Sequence, residues 1–149
     1  MTELRYLTLT LLLLAGSPPA GAEGDVPIHA HPGDANLKWG PCPPVFPQGC
    51  ELAVTQGDPA KEHADVFFRV PAGYAIPPHR HTSPEHMTLA AGELEVTYSG
   101  RKPFTMRVGS FAYGPARVPH TARCTSKVPC VLSIAFESAV DAEATVMAD

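Results

Sequence analysis

The sequence predicts an all-β domain, a sandwich or a closed barrel. From residue 50 onward, short apolar or alternating stretches follow one another, and turn signals separate them at regular spacing. Helical character is confined to the last residues, AVDAEATVMA, where it is weak.

The strands are expected at ELAVTQ (51–56), ADVFFRV (64–70), PFTMRV (103–108), SFAYG (110–114), RVPHTARC (117–124) and CVLSIAFES (130–138), with MTLAAGELEVTYS (87–99) forming two strands around Gly92. Gly57-Asp58-Pro59, Pro71-Ala72-Gly73 and Ser99-Gly100 supply turns. Alternation puts Leu94, Val96 and Tyr98 on one face of their strand. The same rule groups Phe104, Met106 and Val108, and then Leu132, Ile134 and Phe136, as inward faces. Residues 23–48, rich in Pro and Gly, read as an extended arm outside the core. The expected organisation is therefore a leader over 1–22, the arm over 23–48, the β-domain over 49–138 and a tail over 139–149.

The leader is read from a weakly positive start, the apolar run LTLTLLLLAG (7–16), and the small-x-small site Ala20-Gly21-Ala22. The run is too short to span a bilayer and fits a secretory signal cleaved after Ala22. A periplasmic or secreted protein is the expectation, with no membrane attachment after cleavage. Loss of residues 1–22 removes one acid and one base, so the net charge stays at −4. A mildly acidic domain offers no basic patch for nucleic acid.

The four cysteines, Cys42, Cys50, Cys124 and Cys130, all lie beyond the leader. An even count in an exported chain predicts disulfides, and four cysteines allow three pairings. The local pairs Cys42–Cys50 and Cys124–Cys130 are favoured. Neither has the C-x2-C spacing of a zinc site.

The chemistry concentrates in PPHRHTSPEH (77–86). In an extended strand His79 and His81 project to one face, about 7 Å apart at Cα. Thr82-Ser83-Pro84 makes a turn, and Glu85 opens the next strand on the same side as Met87 and Leu89, with His86 on the other. His120 joins them as a distant candidate, because Val118, His120 and Ala122 alternate with polar neighbours. Other candidates are weaker. His29, His31 and Asp34 sit in the arm with no strand around them. Met87, Phe104, Met106 and Phe136 either line a pocket or fill the barrel. Tyr74, Tyr113 and Arg117 are polar groups near the ligand strands, and Arg117 could bind a substrate carboxylate. No Ser-His-Asp order, phosphate loop or carboxylate pair is present to suggest another chemistry.

Residues 73–92, GYAIPPHRHTSPEHMTLAAG, resemble the first motif of the cupin superfamily at every fixed position: Gly73, His79, His81, Glu85 and Gly92. Residues 109–124, GSFAYGPARVPHTARC, resemble the second motif through Gly109, Pro115 and His120. They depart from it at Arg117, where the motif has glycine, and at Cys124, where it has asparagine. Residues 36–59 and 68–96 look like a small bacterial single-domain cupin family of unknown function. In that family small apolar residues are expected where Cys42 and Cys50 stand, which favours their pairing with each other.

The resemblance implies a single-domain cupin β-barrel, a double-stranded β-helix of jelly-roll type. It also implies one divalent transition metal held by His79, His81, Glu85 and His120. Imidazole and carboxylate donors suit Mn, Fe, Ni, Cu or Zn and do not choose among them. A homodimer is expected on the same resemblance. Three functions stay open at this point: a metal-dependent oxidoreductase, dioxygenase-like, acting on a small oxygenated molecule; a non-catalytic module that binds a small molecule or the metal; and a barrel with a purely structural metal.

Overall fold

The structure, a computed structural model, describes residues 26–148. The leader read over residues 1–22 lies outside the described residues. Among the described residues eleven strands run in chain order: β1 Gly40–Pro41, β2 Glu51–Gln56, β3 Ala64–Val70, β4 Ala75–Arg80, β5 Glu85–Ala91, β6 Glu93–Tyr98, β7 Phe104–Arg107, β8 Phe111–Gly114, β9 His120–Cys124, β10 Cys130–Phe136 and β11 Glu143–Ala144. They form two sheets, one of six strands in the order β1-β2-β3-β10-β5-β8 and one of five in the order β11-β4-β9-β6-β7. Every pairing is antiparallel. No helix occurs among the described residues.

The core lies between the sheets. Val66, Phe68, Val70, Leu89, Leu132 and Ile134 come from the first sheet; Ile76, Leu94, Val96, Met106 and Cys124 come from the second. Each strand contributes alternate residues because its side chains change face at every step. β5 shows this most regularly, with Glu85, Met87 and Leu89 buried and His86, Thr88 and Ala90 exposed. Burying one Leu or Val side chain stabilises by ~1.5–3 kcal/mol, so these alternating sets dominate the fold.

Four expectations need correction. Of Phe104, Met106 and Val108, only Met106 is buried; Phe104 is 39% and Val108 66% exposed. β7 is a four-residue edge strand that stops at Arg107, so Val108 falls in the turn beyond it. The strand expected over 117–124 begins only at His120, because Arg117 adopts a left-handed φ of 64° and turns the chain. The helical character of the last residues is overridden by pairing: Glu143–Ala144 forms β11 on β4. The stretch read as an arm is partly core. Gly40–Pro41 pairs with β2, and Cys42 and Phe46 pack on the core cluster.

Cys42 is bonded to Cys50, and Cys124 to Cys130. Closing such short loops stabilises by roughly 2–3 kcal/mol each in the chain-entropy account. The second disulfide is fully buried and leaves no room beside Gly92. A Cβ on Gly92 would lie 2.8 Å from Cys130 Sγ and 2.9 Å from Pro129 O, and its φ is +83°. Two disulfides point to an oxidising compartment. No described helix is long and apolar enough to cross a membrane.

Candidate metal centre

Two prolines shape the approach to the site. Pro77 and Pro78 have no N–H to give to a ladder, and the β4–β9 register shifts between Ile76 and His79. Pairing resumes with His79 opposite His120, and His120 in turn lies opposite Tyr98 on β6. The irregularity frees the Pro77 carbonyl to accept a hydrogen bond from His79 Nδ1, at 2.8 Å. His81 follows the last residue of β4. After a three-residue turn, Glu85 opens β5 opposite Gly114 of β8. Sequence-distant strands thus bring His79, His81, Glu85 and His120 together, and all four are buried, at 3–7% exposure.

One ring nitrogen of each of His79, His81 and His120 lies within 4.8 Å of the other two. Which nitrogen carries a proton follows from the partners. His79 Nδ1 meets the Pro77 carbonyl, His120 Nδ1 meets the Val118 carbonyl at 3.1 Å, and His81 Nδ1 meets the Asp141 carbonyl. A carbonyl only accepts, so each Nδ1 is the protonated nitrogen and donates. In a neutral imidazole Nε2 is then left with a free lone pair. Burial, with the neighbouring imidazoles, pushes His79 down to about 3. Burial likewise pushes His120 down to about 4 and lowers His81. The three rings are therefore neutral across the physiological range.

Glu85 completes the cluster. Its carboxylate oxygens stand 3.4 Å from His81 Nε2 and 3.6 Å from His120 Nε2. Burial, and then the Asp141 charge, pushes the Glu85 carboxyl up to about 8. Neutral imidazoles beside a carboxyl of that kind form no ion pair. Three Nε2 lone pairs and one carboxylate are a donor set that fits a divalent first-row metal.

The turn that carries His81 and Glu85 is bolted down from behind. The Asp141 carboxylate accepts from Thr82 N at 2.9 Å and from Thr82 Oγ1 at 2.5 Å. The buried Ser83 hydroxyl accepts from the amides of Glu137 and Ser138, each at 3.0 Å, and donates to the Pro84 carbonyl at 2.8 Å. Residues 137–141, read from sequence as the end of a strand and the start of a tail, are thus part of the site. Arg117 contributes only its backbone, with its N–H donating to the His81 carbonyl at 2.7 Å.

A cavity of about 50 Å³ opens beside the imidazoles. Phe46, Phe68, Ile76, Leu94, Leu132 and Phe136 are among its walls, and Met87 also lines it. Phe104, Met106, Tyr74, Tyr113 and Arg117 do not. Tyr74 donates its hydroxyl to the Pro47 carbonyl at 2.5 Å, a structural role. His86 points outward, 2.9 Å from Glu137 and beside the Tyr113 ring. His31 closes a local exposed turn through Asp34 and Gly33, and the structure adds no further ligand to it. Tyr98 is the residue the alternation placed inward without a role. Its hydroxyl is buried without a hydrogen-bond partner among the described residues. Gly114 makes room for it and for Glu85: a Cβ there would lie 2.7 Å from Tyr98 Oη and 3.1 Å from Glu85 Oε2.

The cupin-domain family model matches residues 66–136, from the middle of β3 to the end of β10. Among solved structures, DMSP lyase DddQ from Ruegeria pomeroyi DSS-3 is 21% identical, with a TM-score of 0.61 over 73% of this chain and 61% of that one. An RmlC-like cupin from Shewanella frigidimarina is 18% identical, with a TM-score of 0.58 over 70% of this chain and 86% of that one. Oxalate decarboxylase from Bacillus subtilis is 18% identical, with a TM-score of 0.57 over 69% of this chain and 29% of that one. At these identities the likeness shows the fold, and this chain spans about three-fifths of the first of these structures. The sequence matches no curated protein. The matched segment carries most of β3, all of β4 to β10 and the histidine cluster, and by that match and by its fold this segment is a cupin domain.

Proposed function

We propose that this protein is an exported, metal-dependent cupin. One divalent transition-metal ion is held by Nε2 of His79, His81 and His120 and by the Glu85 carboxylate. The observation that carries this reading is the three-fold donation of Nδ1–H to backbone carbonyls, which turns three lone pairs toward one point in a buried space. Second contacts that fix the tautomer and the ring orientation are what a metal-ligating histidine needs.

Of the functions open to such a site, a metal-dependent oxidoreductase acting on a small molecule is favoured by the cavity beside the imidazoles. A purely structural ion has a closed sphere and needs no such space. A bound ion there would supply Lewis acidity and, if redox-active, electron transfer. The chain's own part is to orient and to exclude. The carbonyls of Pro77, Val118 and Asp141 hold the rings. The apolar walls keep water from the bound ligand. The two enzymes named among the structural relatives, a DMSP lyase and an oxalate decarboxylase, support an enzymatic role for this fold without choosing the substrate. Two disulfides support export.

Elemental analysis of the mature protein, purified from its own compartment without chelators, tests the reading. About one equivalent of a transition metal is expected, falling to background in His81→Ala. Full metal retention by that variant would reject the site.

A further inference from the structure

We propose, building on the metal reading above, that the cavity selects an uncharged ligand of very few non-hydrogen atoms and rejects dicarboxylates. Size, charge and rigidity each lead there.

The cavity measures about 50 Å³. That is room for about a handful of water-sized groups, fewer once an ion is seated. That accommodates a diatomic or triatomic molecule. It does not accommodate an aromatic diol.

Charge narrows the choice further. The polar side chains on the cavity wall are His79, His81, His120, Glu85 and Asp141. Among the described residues the wall carries no lysine, no arginine and no side-chain amide or hydroxyl. A divalent ion with the Glu85 carboxylate leaves one positive charge in excess, and the Asp141 carboxylate on the wall offsets it. A dicarboxylate would bring two negative charges into an apolar space with no guanidinium or ammonium to meet the second. Burying an unpaired charge is strongly unfavourable. An uncharged ligand needs no such partner.

The cavity also resists widening. Two segments outside the main strands supply part of its wall. One is the loop with Pro43 and Phe46, spanned by the Cys42–Cys50 disulfide and tied to β4 through the Tyr74 hydroxyl on the Pro47 carbonyl. Phe46 packs edge-on against the His79 ring, with centroids 4.8 Å apart. The other is Val140–Ala142, held by the Thr82 and His81 bonds to Asp141, by Val140 N on the Pro59 carbonyl at 2.8 Å, and by β11. A disulfide with its hydrogen bond holds one of these parts of the wall, and a hydrogen-bonded strap holds the other.

The test uses full-length mature protein loaded anaerobically with Fe(II), with iron content measured first. Nitric oxide, an uncharged diatomic, is then added and the high-spin iron signal is read by electron paramagnetic resonance. Stoichiometric signal is expected. Prior addition of millimolar oxalate or catechol should leave its intensity and line shape unchanged in the wild type. In Phe46→Ala, which removes a wall without removing a donor, catechol should now perturb the signal while oxalate still does not. Oxalate perturbing the wild-type signal, or nitric oxide giving none on stoichiometric iron, would overturn the proposal without touching the metal reading. Failure to load iron or any other divalent ion would overturn the metal reading and this inference together. The wild-type arms decide the matter even if Phe46→Ala folds poorly.

Discussion

His81 donates its Nδ1 proton to the main-chain carbonyl of Asp141, 60 residues further along the chain. The same aspartate grips Thr82 with its carboxylate. One residue from beyond the last long strand therefore sets both the tautomer of a histidine of the candidate metal centre and the position of the turn that carries it.

Asp141→Ala should leave the fold intact and weaken metal binding by about 10–100-fold, the usual consequence of losing an outer contact to a ligand. The backbone carbonyl survives the substitution, but its anchorage to Thr82 does not. Asp141→Asn keeps an acceptor and should lose less. Competition against a chromogenic chelator measures both, and unchanged affinity in Asp141→Ala would refute the anchoring role.

The metal-free protein should show a bell-shaped dependence of stability on pH. His79 and His120 are lowered on folding, from 6.5 to about 3 and about 4. The unfolded chain then binds more protons, so stability is full above pH 6.5 and falls as the pH drops toward those values. Glu85 is raised, from 4.5 to about 8. Its contribution is full below pH 4.5 and is lost as pH rises toward 8. Between 4.5 and 6.5 the effects oppose, and two histidines outweigh one glutamate, so the maximum falls near the upper end of that window. Urea unfolding across pH checks this. A saturating metal should abolish the alkaline limb, because it binds the ionised carboxylate.

Two left-handed positions make opposite predictions. Gly92→Ala should destabilise by about 3 kcal/mol or more, since φ is +83° and the new Cβ meets Cys130 Sγ, Pro129 O and Ser126 Oγ. Arg117→Gly should stabilise by about 1 kcal/mol, because φ there is 64° in a residue with a side chain, and its function at the site is carried by the backbone N–H. Denaturant midpoints distinguish the two.

Tyr98→Phe should be neutral to stabilising by roughly 1 kcal/mol in the metal-free protein, unlike most deletions of a buried hydroxyl. The Tyr98 hydroxyl is buried without a partner. Burial, and then Glu85, raises its pKa far above the ordinary value. Thermal unfolding with metal removed is the measurement, and a loss beyond 1 kcal/mol would show that the hydroxyl has a partner in solution.

The β-domain and the histidine cluster were legible because they rest on local rules. Period-two alternation placed Leu132, Ile134 and Phe136 inward, and all three are buried. The same rule failed at Phe104 and Val108, since alternation does not say where an edge strand stops. Arg117, read as the first residue of a strand, instead turns the chain with φ 64°, because alternation carries no sign of a left-handed residue. Asp141 and Phe46 gave no signal. Both sit in irregular segments whose value comes only from what the fold lays them against, the His81 ring in one case and the His79 ring in the other. An aspartate after a strand and a phenylalanine among prolines have no periodicity to betray them.

The central claim is that three imidazole nitrogens and one carboxylate meet at a single ion. X-ray absorption at the metal edge of the loaded protein tests it most directly. The account predicts a first shell of light atoms with the multiple-scattering signature of three imidazoles, reduced to two in His120→Ala. A sulfur-containing shell, or a shell without imidazole scattering, would contradict it.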